Sequence, residues 1–261
     1  MIPPASPWYT VFRPHPAPGL RLICLPYAGA GAAAFRAWPE TLAALHPAAE
    51  VVAVRLPGRE SRMRERCETH MAAIIPPLLA AIQPLVNNHR FVLFGHSLGA
   101  SIAHDLALAL AAQDRPPALL VLSGRRPPHL PPRRLPYHTL DEKAFRQQLA
   151  RMGGTPPEVL ASDDLMDLLA PMVRADFCLA ETYRRDTSVP IPCPVLACSG
   201  ADDPEAPPDD VAAWRELAGA GFEHLSYPGG HFFLHPHGGA MLEAIVHRVA
   251  AQVSPSEFQR R

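Results

Sequence analysis

No stretch of the chain stays apolar for the roughly 18 residues that a membrane span requires. The opening residues, MIPPASPWYTVFRP, carry neither the basic segment nor the apolar core of a secretion signal. A membrane anchor and an export route are therefore not expected. Cysteine is sparse and badly spaced for either of its structural uses. The five present (Cys24, Cys67, Cys178, Cys193 and Cys198) are odd in number and form no C-x-x-C pair, which argues against a disulfide framework or a zinc site and for free thiols in a reducing cytoplasm. Charge of one sign is missing too. With 24 Lys and Arg against 25 Asp and Glu the net charge is −1, so general binding to nucleic acid or to a membrane surface is not indicated. No internal repeat is found. Proline is abundant instead: 32 residues, roughly 12% where about 5% is usual. They are scattered without a period and read as rigid loops and helix stops.

A chain of 261 residues, 48% hydrophobic and 19% charged, suffices for one large α/β domain. After a proline-studded lead-in over 1–18, with a short edge strand at 9–13, strands are expected at 21–25, 51–56, the run ending at Phe94, 118–123, 194–199 and 223–227. Helical spacing covers 32–45 around Pro39, 69–85 with a break near Pro76-Pro77, 98–113, 208–218 and 239–253. Unbroken apolar runs such as Leu119-Leu120-Val121-Leu122 suit a parallel sheet buried on both faces. The alternation of strand and helix predicts a mostly parallel, doubly wound sheet. One segment breaks the alternation. Residues 125–189 hold a basic, proline-rich loop and helical patterns at 141–152 and 165–183, but no convincing strand. The expected division is a core of 1–124 and 190–261 with a helical insertion at 125–189 capping the strand ends.

The chain is organised around Phe91-Val92-Leu93-Phe94-Gly95-His96-Ser97-Leu98-Gly99-Ala100. An apolar run, G-x-S-x-G and a helical pattern follow one another. A strand turning sharply into a helix holds its serine at a strained, exposed corner. Ser97 is thus a candidate nucleophile, and side chains at Gly95 or Gly99 would collide across the turn. The N–H of Leu98, at the helix start, is placed to meet a developing oxyanion. A serine hydroxyl needs a base, usually a histidine held by a carboxylate, in the chain order Ser, Asp, His. The loop Ser199-Gly200-Ala201-Asp202-Asp203 follows a strand. Asp203, at G-x-x-D spacing, is preferred and Asp202 is the rival. For the histidine, Tyr227-Pro228-Gly229-Gly230-His231 follows the last strand. His96 is expected to point away, and His104 and Asp105 to be packing or surface residues. A metal cluster of His231, His235 and His237 lacks a matching acid or cysteine spacing. The second oxyanion N–H is expected from the loop Pro26-Tyr27-Ala28-Gly29, with Ala28 the positional choice. Gly29-Ala30-Gly31-Ala32-Ala33-Ala34 also fits the dinucleotide pattern G-x-G-x-x-A, with Arg55 as a phosphate ligand. That reading leaves the serine, acid and histidine unexplained.

Beyond these local patterns the chain resembles the type II thioesterases that accompany polyketide and nonribosomal peptide synthases. The similar stretches are CLPYAGAG (24–31), LPGRESR (56–62), FGHSLGA (94–100), GGTPPEVL (153–160), PMVRADFCLAETY (171–183), SGADDP (199–204) and GGHFFL (229–234). The resemblance implies an α/β-hydrolase with a helical lid. It implies hydrolysis of acyl thioesters on the phosphopantetheine arm of acyl or peptidyl carrier proteins, which edits stalled or misprimed synthases without a cofactor or metal. It also implies Ser97 as nucleophile, Asp203 as acid partner, His231 as base, and Ala28 and Leu98 as oxyanion donors. The family often has histidine where Tyr27 stands. The alternatives are a carboxylesterase acting on small free esters and a non-catalytic carrier-binding protein. Carrier proteins of this kind are generally acidic, so arginine patches are expected to dock them. Arg59 and Arg62 belong to a cluster with Arg55, Arg64 and Arg66; Arg125 and Arg126 to a second with Arg133 and Arg134.

Overall fold

The computed structural model describes residues 5–252. Seven strands form one sheet: β1 (Tyr9–Phe12), β2 (Leu20–Leu25), β3 (Ala49–Val54), β4 (Phe91–His96), β5 (Leu119–Ser123), β6 (Val195–Gly200) and β7 (Phe222–Tyr227). Their order is β1-β3-β2-β4-β5-β6-β7. Only the edge pair β1–β3 is antiparallel; every other neighbouring pair is parallel. The sheet is that of an α/β-hydrolase.

Strands β2 to β6 are buried along their whole length, which is why their sequences are runs of apolar residues rather than alternations. Alternate side chains still sort to opposite faces. Ile23, Leu25, Val52, Val54, Leu93, Leu120 and Leu122 pack beneath α2 (Met71–Val86) and α3 (Leu98–Ala111). Leu22, Cys24, Val51, Ala53, Val92, Phe94, Leu119 and Val121 pack beneath α1 (Trp38–Leu45) and α8 (Leu234–Ala251). One ion pair lies inside this packing. Arg21 of β2 stands opposite Glu50 of β3 and donates to it at 2.8 Å, with a second bond to the Leu85 carbonyl at 2.7 Å.

Proline-rich segments depart from the expected boundaries. Helix α2 runs through Pro76, Pro77 and Pro84 without a break. Each proline removes a bond to the carbonyl four residues earlier. Those carbonyls belong to Ala72, Ala73 and Ala80, all on the exposed side, where water takes the place of the lost donor. The opposite side buries Ile74, Leu78, Ile82 and Leu85, and that packing holds the helix. The expected helix 32–45 is instead a 3-10 turn (Ala32–Phe35) followed by α1, with Pro39 in its first turn. Residues 208–218 divide likewise into α7 (Pro208–Ala212) and a 3-10 turn (Ala213–Leu217). Helix α8 starts five residues earlier than its pattern suggested, so His235 and His237 lie in its first turn rather than in a loop. Its expected end at Val253 lies outside the described residues.

Between β5 and β6 the chain forms α4 (Glu142–Met152), the single turn α5 (Pro157–Leu160) and α6 (Asp163–Glu181). These helices share a small core of their own, with Tyr137, Phe145, Leu149, Met166, Ala170 and Phe177. The end of α6 is different: Leu179 and Ala180 belong to the main core. Among the described residues, no helix is long and apolar enough to cross a membrane.

The strand order also determines where loops converge. From β2 the chain winds outward to β3, then crosses back to β4 and on toward β7. The direction of winding reverses between β2 and β4, and in an open parallel sheet such a reversal opens a crevice at the carboxyl ends of the strands. The loops bearing Ala28 and Ser97 leave these two strands.

His104 and Asp105 of α3 are buried. The His104 Nδ1 is 3.0 Å from the Tyr183 hydroxyl. Burial, and then the nearby Arg185, pull the His104 pKa from its ordinary 6.5 to about 4. In the unfolded chain this imidazole takes a proton more readily than in the folded one. The contribution of His104 to stability should therefore be fully present above about pH 6.5 and be lost as pH falls toward 4. Urea midpoints at pH 7 and pH 5 should show a smaller difference in His104→Gln than in the wild type.

Candidate active site

Ser97 occupies the junction of β4 and α3 with φ 54° and ψ −115°. A non-glycine residue in such a conformation costs on the order of 1–3 kcal/mol and persists only where its surroundings enforce it. Two bonds do so here: the Ser97 N–H donates to the Ser123 carbonyl at 2.8 Å, and the Ala100 N–H donates to the Ser97 carbonyl at 3.0 Å. The flanking glycines allow the approach. A Cβ on Gly95 would lie 2.2 Å from the Gly99 carbonyl oxygen, and one on Gly99 would lie 2.1 Å from the Leu25 carbonyl oxygen. Helix α3 thus starts directly against the end of β2. The Leu98 N–H, in its first turn, has no intrahelical acceptor.

His231 and Asp203, on the loops after β7 and β6, reach Ser97 at the carboxyl end of the same parallel sheet. The His231 Nε2 is 3.0 Å from the Ser97 Oγ, and its Nδ1 is 2.8 Å from the Asp203 Oδ2. With Nδ1–H donating to the carboxylate, Nε2 is left to accept the serine proton. Asp203 is 2% exposed. Its second oxygen accepts the N–H groups of Glu205 at 2.8 Å and Ala206 at 3.2 Å, so the carboxylate is held at both ends. Asp202 is exposed.

His96 does not simply point away. It is fully buried, with Nδ1 2.9 Å from the Ser123 Oγ and its ring centroid 5.2 Å from that of His231. Burial, and then the neighbouring His231, hold its pKa well below the ordinary value, so a neutral ring backs His231. His235 lies instead by the Tyr27 hydroxyl at 3.3 Å, and His237 Nε2 lies 3.1 Å from the Pro228 carbonyl. Among the described residues, no group of three potential ligands could hold a metal.

Ala28 sits in a tight turn. The Ala30 N–H donates to the Tyr27 carbonyl at 3.0 Å, and Gly29 has φ +79°. A type II turn has this form and needs a residue that tolerates positive φ at its third position. The dinucleotide reading of the same segment fails. The Glu60 carboxylate fills the place an anion would need, accepting the Ala33 N–H at 3.0 Å and lying 2.5 Å from a Cβ built on Gly31. Arg55 is committed to that carboxylate at 2.7 Å.

Two cavities meet at Ser97, Ala28 and His231. One, of about 190 Å³, runs under the inserted helices and is walled by Met152, Met166, Met172, Val159 and Phe177 among others. It has the apolar lining typical of a small-molecule site. The second, of about 740 Å³, opens between the loop 124–137 and the segment 204–206, past Arg134, Tyr137 and Glu205.

The arginines expected to dock an acidic partner are engaged within the fold. Arg59 is 5% exposed and clasps Asp176 of α6 with two bonds of 2.7 Å. Arg62 is 6% exposed, forks onto Glu65 and lies over the Trp8 ring. Arg126 pairs with Asp210. Arg125 donates to the Ala180 carbonyl at 2.5 Å, while its own carbonyl accepts from the Trp214 indole at 2.7 Å. Arg59 and Arg126 are thus taken up by acids far away in the sequence, Arg62 by its neighbour Glu65 and Arg125 by a backbone carbonyl. Arg125→Ala should leave the Ala180 carbonyl unpaired and cost about 1–3 kcal/mol of stability, read from urea denaturation.

Asp176 was not singled out from the sequence. It lies 117 residues from Arg59, and its only signal was its place in the stretch PMVRADFCLAETY. It is 1% exposed and also accepts the Gly29 N–H at 2.8 Å.

The fold and this arrangement have counterparts among known proteins. The model of the thioesterase domain matches residues 20–252. Thioesterase PikA5 of Streptomyces venezuelae is 41% identical over 229 residues, covering 87% of this chain and 80% of that protein. The gramicidin S biosynthesis protein GrsT of Aneurinibacillus migulanus is 34% identical over 259 residues, 97% of this chain and 98% of that one. Among solved structures, the type II thioesterase BorB from the borrelidin biosynthetic cluster superposes with a TM-score of 0.82 at 32% identity, over 93% of this chain and 97% of its own. The chain belongs to the thioesterase family and, within it, to the type II thioesterases of α/β-hydrolase fold.

Proposed function

We propose that this thioesterase hydrolyses acyl groups from the phosphopantetheine arm of acyl or peptidyl carrier proteins, freeing synthases that are stalled or misprimed. The observation that carries the chemistry is the hydrogen-bonded run Asp203–His231–Ser97 at the meeting of two cavities. Ser97 attacks the thioester carbonyl while His231 Nε2 takes its proton. Asp203 holds the imidazole in the required tautomer and offsets the positive charge it gains. The N–H groups of Ala28 and Leu98 receive the negative charge that forms on the carbonyl oxygen. Collapse expels the pantetheine sulfur, which leaves with the proton from His231, and the acyl group stays on Ser97. Water then gives a proton to His231 and attacks the ester. The acid departs as the proton returns to Ser97. No step calls for a cofactor or a metal.

The two cavities suit the two halves of such a substrate. The apolar one accepts the acyl chain. The larger one, bordered by the insertion 125–189, offers a way out for the polar arm, and the insertion acts as a lid over both. Five unpaired thiols and the biosynthetic roles named for the relatives are consistent with a cytoplasmic setting beside a synthase. Incubating a panel of acyl-loaded carrier proteins with the enzyme, followed by intact-mass spectrometry, tests the proposal. Loss of acyl mass at rates well above those for matched free esters supports it. Faster turnover of the free esters would favour a carboxylesterase.

A further inference from the structure

We infer that Asp176 is a positioning residue: through the Gly29 N–H it sets the turn that aims the Ala28 N–H at the reacting carbonyl. The inference rests on the reading above, in which Ala28 is an oxyanion donor. Its basis is a set of bonds that converge on one short loop. Asp176 Oδ2 accepts the Gly29 N–H at 2.8 Å and one Arg59 N–H at 2.7 Å, and Oδ1 accepts a second Arg59 N–H at 2.7 Å. Arg59 Nη1 also donates to the Ala30 carbonyl at 2.9 Å. The turn Tyr27–Ala30 is therefore held at Gly29 by the carboxylate and at Ala30 by the guanidinium.

The hold selects one turn geometry. Type I and type II turns differ chiefly in a flip of the central peptide, here the one joining Ala28 to Gly29. An acceptor fixed on the Gly29 N–H resists that flip. Gly29 is free to adopt either sign of φ, so its own backbone leaves the choice open. The Ala28 N–H belongs to the adjoining peptide, so its aim follows the placement of the whole turn, which the bonds at Gly29 and Ala30 anchor against the end of β2. The carboxylate that prevents this comes from α6, the helix of the insertion, whose following residues Leu179 and Ala180 are packed into the main core. This part of α6 is accordingly a fixed strut of the oxyanion site, whatever the rest of the insertion does. A buried fork of this kind is a poor candidate for stability alone, since apolar residues of similar volume often serve as well or better.

Two double variants separate the acceptor from the charge. Arg59→Met with Asp176→Leu removes the ion pair and the acceptor together. Arg59→Met with Asp176→Asn removes the ion pair but leaves an amide oxygen for Gly29. Neither leaves a buried charge unpaired, and circular dichroism with thermal melts verifies that each is folded. The Leu variant should lose about 10²-fold in kcat, the scale of one misplaced oxyanion donor, with KM within about two-fold. The Asn variant should stay within about ten-fold of wild type. A pantetheine trifluoromethyl ketone, which bonds to Ser97 as a charged adduct, should bind the Leu variant about 10²-fold more weakly. The amide analogue, which forms no adduct, should bind it as before. Equal kcat in the two folded variants, or equal weakening of ketone and amide, would overturn the inference. Failure of the wild-type enzyme to bond the ketone at Ser97 would instead remove the reading on which the inference rests.

Discussion

Ser97→Ala should lower hydrolysis of an acyl-carrier protein on the order of 10⁶-fold, the loss seen when a serine nucleophile acting with its base is removed. The fold should hardly notice. The hydroxyl bonds to His231 and lies where the cavities open, so its removal leaves no packing void. The backbone strain at φ 54° is enforced by neighbouring peptides rather than by the side chain. Melting temperatures should agree within a few degrees, and a serine-reactive phosphonate should label the wild type alone. A folded variant with near-normal turnover would refute the covalent mechanism.

Asp203→Asn should reduce kcat on the order of 10⁴-fold. An amide in this place presents N–H to His231 Nδ1 and favours the tautomer whose Nε2 carries a proton, which cannot then accept one from Ser97. The exposed Asp202 contributes no side-chain bond to His231, so Asp202→Asn should keep kcat within a few-fold of wild type. Steady-state rates on one acyl-pantetheine substrate compare the two directly. The opposite ranking would transfer the role to Asp202.

These two predictions differ in how far the sequence alone supports them. The serine elbow is a local structure. An apolar strand, two glycines and a helical start follow within ten residues, and the contacts that demand glycine at 95 arise from Gly99 itself. The buried sheet is legible for a similar reason, because strands covered on both faces must be apolar throughout. Asp203 was harder. Adjacent carboxylates have equal chemistry, and their fates are decided by the turn that buries one against the N–H groups of Glu205 and Ala206 and leaves the other in water.

What the sequence by itself determined is the parallel sheet, the elbow and the insertion between β5 and β6. Each depends on interactions within a few residues or on a hydrophobic pattern that neighbours in the chain display. The fate of the arginines, the continuity of α2 and the surroundings of Ala28 were decided only by the tertiary structure. Arg59 stands among five arginines between positions 55 and 66, yet it is Asp176, more than a hundred residues away, that takes it up. Pro76 and Pro77 look like a helix break until the carbonyls they strand turn out to lie on the exposed side. In both cases the deciding partner, an acid or the solvent, is assigned by which faces the folded chain covers, and no spacing along the sequence encodes that.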